Sequence, residues 1–61
     1  MADTDRSVAE LAQLYLGNIL YALELAAISL DEQEKSNDAA FYRGIARELA
    51  QARGREVKRD A

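Results

Sequence analysis

Val8-Ala-Glu-Leu-Ala-Gln-Leu-Tyr-Leu-Gly-Asn-Ile-Leu-Tyr-Ala-Leu-Glu-Leu-Ala-Ala-Ile-Ser-Leu30 is apolar on nearly every side of a helix. Its polar positions gather on one thin stripe: Glu10, Gly17, Glu24 and Asp31 recur every seven residues, with Gln13 beside them. A helix with only one wet edge has to be covered by several neighbours at once. A chain of 61 residues cannot provide them all by itself. The stretch therefore points to self-assembly, or to a large partner, before it points to any chemistry.

Projected at about 100° per residue, the segment carries three apolar seams. Val8, Ala12, Tyr15, Ile19, Ala22 and Ala26 make the first, and Leu16, Leu20, Leu23, Ala27 and Leu30 the second. Leu14, Asn18, Tyr21, Leu25 and Ile28 make the third, at the alternating four-and-three spacing of packed helices. Asn18 sits on an otherwise apolar row, either fixing register against a mate or lying solvated at a rim.

The boundaries follow from local chemistry. Ser7-Val-Ala-Glu10 is a capping box, in which hydroxyl and carboxylate exchange hydrogen bonds with each other's backbone N–H. It starts a first helix over 8–31, with an extra turn capped by Asp3 or Thr4 as an option. Residues 1–7 read as a polar segment and 32–37 as a loop, Asp31-Glu-Gln-Glu-Lys-Ser36 being devoid of apolar residues. Ser36, Asn37 and Asp38 are good caps in series, so a second helix is expected over 38–53. Gly54 would terminate it, and 54–61 would be a polar, fraying tail. On that second helix Phe41, Tyr42, Ile45, Leu49 and Ala52 share one side, and Arg43, Arg47 and Gln51 the other. The rival is one continuous rod, since no Pro interrupts the chain; its apolar seam, however, vanishes across 31–38.

The expected fold is all-α: an antiparallel two-helix hairpin, 8–53, that dimerises into a four-helix bundle. The second helix covers about one seam and part of another, and the remaining seam needs a second chain. A chain this short builds only a marginal core alone. Without Cys or His, neither a disulfide nor an ordinary zinc site can reinforce it. The oligomer core is expected from Tyr15, Leu16, Ile19, Leu20, Leu23, Ile45 and Leu49. Gly17 and Gly44 could each let a neighbouring backbone come close.

Function classes narrow in the same way. Carboxylates are present, but with neither His nor Cys there is no obvious proton shuttle or thiol nucleophile. No catalytic residues, cofactor or metal are expected. Twenty residues from Leu11 to Leu30 could reach across a bilayer, yet Gln13, Asn18 and Glu24 lie inside that window and no basic cluster flanks it. A membrane is not expected, and the polar, acidic start fits no secretory signal, so the cytoplasm is the default. Residues 1–38 hold eight acids and two bases, and residues 39–61 six bases and three acids, giving the net charge of −3. The basic half could touch phosphates, but Glu48, Glu56 and Asp60 are interleaved, and nucleic acid is the weaker expectation.

The overall plan resembles the Rop-type plasmid copy-number family: a chain of similar length, a helical hairpin, a dimer, and an acidic Leu30-Asp-Glu-Gln33 entry to the loop. That resemblance implies a dimeric bundle and an RNA-binding first helix. Here the first helix has only Arg6 near its start, so the RNA function does not carry over. The leading expectation is a non-enzymatic homodimer that binds another protein as a regulator or adaptor, for example in transcription or signalling. Its partner-binding residues would be Leu14, Tyr21, Leu25 and Ile28, rimmed by Arg43 and Arg47. A Rop-like nucleic-acid binder using the basic half is the alternative, and a structural subunit of a larger assembly a further one.

Overall fold

A computed structural model of the chain describes residues 5–60, with side chains for 5–57. The fold is all-helical, and no strand occurs among the described residues. Among these residues three helices follow one another: α1 (Val8–Leu14), α2 (Leu16–Glu32) and α3 (Ser36–Asp60). The possible extra turn at Asp3 or Thr4 lies outside the described residues.

The capping box opens α1. Ser7 N–H donates to Glu10 Oε1 at 2.7 Å and Glu10 N–H donates to Ser7 Oγ at 3.1 Å, so two otherwise unpartnered donors of the first turn are satisfied.

The expected single helix over 8–31 is in fact two. Tyr15 leaves helical geometry (φ −107°, ψ 21°), and the axes of α1 and α2 meet at 79°. The hydrogen-bond chain is handed across: Tyr15 N–H donates to Leu11 C=O at 3.0 Å, and Ile19 N–H donates to Tyr15 C=O at 2.9 Å. The bend falls two residues before Gly17, the poorest helix former in the stretch. It is tied to α3 by Gln13 Nε2, which donates to Glu56 Oε1 at 2.9 Å.

At the other end, α2 closes with a Schellman turn. Lys35 N–H donates to Leu30 C=O at 2.8 Å and Glu34 N–H to Asp31 C=O at 2.9 Å. Glu34 occupies the left-handed position, with φ 62°, a place that glycine takes without steric cost. The connection is only Gln33–Lys35, so α3 begins at Ser36 rather than at residue 38. It also runs past Gly54 to Asp60 instead of stopping at Arg53. Good helix formers follow that glycine, and Arg53 pairs with Glu56 one turn on at 3.9 Å.

α2 packs on α3, and α1 adjoins α2. The molecule is a slab of 41 × 31 × 13 Å, its thinnest direction little more than one helix. Only Ala27 and Ala39 are fully buried among the described residues, and no large side chain is. Leu16, Ile19, Leu20, Leu23, Ala26 and Leu30 of α2 and Ile45, Ala46, Leu49 and Ala52 of α3 are half-buried. The second seam is thus the one that α3 covers. A chain of this size folded into a compact monomer exposes about 4,000 Å²; this one exposes 5055 Å².

Candidate functional site

Covering the second seam leaves the third in the open. On α2, Tyr21, Leu25 and Ile28 lie roughly half a turn from the Leu16–Leu23 arc, and they are 68, 49 and 42 % exposed. Leu14, expected on the same row, is 54 % exposed but belongs to α1. The bend at Tyr15 removes it from the straight line of the other three. Asn18 is exposed next to this row, so it forms no polar insert in a buried seam within one chain.

Arg43 is not on the far side of α3. Its Nη1 donates to Asp31 Oδ2 at 2.7 Å, and its Nη2 lies 3.7 Å from Glu24 Oε2. Hydrogen bonding to Asp31 is the chief cause that raises its proton affinity above the ordinary arginine value, with the charges of Asp31 and Glu24 adding to it. The side chain is still about one-third exposed, so the pair is weak as a source of stability. It does decide orientation, because one edge of α2 carrying Glu24 and Asp31 must face the edge of α3 carrying Arg43. Arg47, one turn on, is exposed.

The residues expected at an oligomer core divide. Leu16, Ile19, Leu20 and Leu23 of α2 and Ile45 and Leu49 of α3 are all half-buried, and Tyr15 is 53 % exposed at the elbow. Sequence reasoning missed Ala39, which is fully buried, and put Phe41 inward, whereas it is 65 % exposed. Phe41 instead meets its neighbour Tyr42 edge to face, ring centroids 5.8 Å apart. Shifting the buried row of α3 from Phe41 to Ala39 would have been legible only from the Arg43 pairing. A Cβ on Gly17 or Gly44 would meet nothing within 4 Å, so neither glycine is there for a close backbone approach.

Between α1 and α3 the elbow opens an apolar cleft of about 200 Å³, lined by Ala9, Ala12, Leu16, Leu49 and Ala52 with Gln13, Arg53 and Glu56 at its mouth. It falls short of the volumes usual for small-molecule sites. Among the described residues no three His, Cys, Asp or Glu side chains are grouped to hold a metal ion. Among the described residues no single helix is long and apolar enough to cross a membrane; α1 and α2 qualify by length and composition only when taken together across their 79° bend. The chain matches no protein-family model, and no curated protein or solved structure matches it.

Proposed function

We propose that this chain is a small, non-enzymatic helical hairpin that binds another protein and works as a self-associated bundle, in the manner of a regulator or adaptor. One observation carries the reading: Tyr21, Leu25 and Ile28 form an uncovered apolar row, 42–68 % exposed, on a helix whose opposite side is already packed. Contiguous exposed apolar surface on a small protein marks an interaction site. An amphipathic partner helix laid along such a row, contacting residues three and four apart, is the natural mode. The antiparallel hairpin is supported by two cross-helix pairs, Asp31 with Arg43 near the turn and Gln13 with Glu56 far from it. A cytoplasmic setting belongs to the same reading.

The nucleic-acid alternative is weakened by what Arg43 already does. Its guanidinium is occupied by Asp31 and Glu24, and Arg53 lies against Glu56, so two of the four arginines between residues 39 and 57 have acidic company.

The test compares capture of host proteins by the unmodified chain and by Leu25→Lys and Ile28→Lys. Loss of a specific partner, with helix content and mass retained, supports the reading. Equal capture by all three proteins overturns it.

A further inference from the structure

The slab has two broad sides, and the Arg43 pairing tells them apart. Glu24 and Asp31 of α2 and Arg43 of α3 meet on one side. Both helices turn about 100° per residue, so the opposite side must present Ile19, Ala22 and Ala26 of α2 beside Phe41 and Ile45 of α3. The first side is charged. The second is mainly apolar, with Glu48, Gln51 and Arg55 along its α3 margin beside Ile45 and Leu49.

We infer that a second copy of this chain seats on the apolar side, with Ile19, Ala22 and Ala26 of each copy meeting Phe41, Ile45 and Leu49 of the other. This rests on the reading of the chain as a self-associating hairpin and assigns the face that does it. Three observations favour a copy as occupant. The first is area. The chain exposes 5055 Å², about 1,000 Å² beyond a compact monomer of its size, and a standard interface removes about 800 Å² per partner. The second is self-complementarity. A two-fold interface brings each residue's face onto the same face of its mate, and here small side chains on α2 can receive the large ones of α3. Phe41, 65 % exposed, is the knob, and the Ala22–Ala26 row is the hole. The third is charge: Glu24 and Asp31 lie on the other side, beside Arg43, so two copies can close without burying that acidic edge, while Glu48 and Arg55 carry opposite charges along the α3 margin of the face. The row of Tyr21, Leu25 and Ile28 faces outward from such a bundle and stays free for a different protein.

The sequence has no cysteine, so single thiols can report the face without disturbing it. Ala22→Cys and Gly17→Cys are alkylated at concentrations that span association, and the masses of Ala22→Arg, Phe41→Ala and Ile28→Lys are compared by sedimentation. The expected result is that alkylation of Ala22→Cys slows on association while that of Gly17→Cys does not. Ala22→Arg and Phe41→Ala should weaken pairing by roughly thirtyfold or more, and Ile28→Lys should keep the mass of the unmodified protein. Concentration-independent alkylation of Ala22→Cys overturns the assignment, even where Ala22→Arg does not fold. So does dissociation by Ile28→Lys with pairing intact in Ala22→Arg. Partner capture reads Leu25 and Ile28 instead, so the two inferences fail separately.

Discussion

Arg43 holds Asp31 at 2.7 Å and stands 3.7 Å from Glu24, and this one side chain sets how α3 is turned against α2. A pair this exposed contributes little to stability on its own. Its effect is to choose among rotations of α3 that the small apolar core would tolerate almost equally. Arg43→Ala should lower the melting temperature modestly, and Arg43→Glu by more, because three acids would then share one edge. Both deficits should shrink in high salt, which screens exposed charges. A salt-independent deficit would show that the arginine acts through its hydrocarbon stem instead.

Glu34 offers a direct gain. Its positive φ of 62° costs an L-residue roughly 1–2 kcal/mol, part of which glycine returns as unfolded-state entropy. Glu34→Gly should therefore stabilise the protein by up to about 1 kcal/mol, seen as a higher denaturant midpoint with an unchanged slope. Glu34→Val, β-branched and without a polar tip, should lower the midpoint.

Ser7→Ala removes the acceptor for Glu10 N–H. Caps of this kind contribute about 1 kcal/mol, but α1 lies at 79° to α2 and none of its residues is buried. The loss should stay local. Amide exchange should speed up about fivefold within α1 while α2 and α3 keep their protection. Loss of protection throughout would mean that α1 is part of one cooperative unit with the other two.

The all-helical class, the capping box and the seams themselves were readable from residue spacing, because each depends on side chains within a turn or two of one another. Which seam α3 covers was not, and neither was the bend at Tyr15. No Pro marks it, and its stabilising contact, Gln13 to Glu56, joins residues 43 positions apart. The end of α2 was blurred for a related reason: its left-handed residue is a glutamate, while Gly54, which looked like a stop, lies inside α3. The inward row of α3 was misjudged because Phe41 outweighs Ala39 in any count of apolar bulk. A close pair of helices, however, favours the smaller side chain at the contact. The exposed row of Tyr21, Leu25 and Ile28 was legible as a seam without a partner, and Leu14 was grouped with it only by assuming a straight helix.

The basic half should not confer nucleic-acid binding. At physiological salt the protein is expected to pass through heparin and mixed-RNA columns unretained, given its net charge of −3 and the acidic partners of Arg43 and Arg53. Retention that falls steeply with added salt, as phosphate neutralisation requires, would restore the alternative reading.

Self-assembly is the claim on which the rest stands, since two alanines are the only fully buried residues among those described. Sedimentation equilibrium of the unmodified chain at micromolar concentration, with circular dichroism on the same sample, tests it most directly. The expected result is a helical species of twice the chain mass whose helicity falls as it dissociates on dilution. A fully helical monomer across that range would contradict the account.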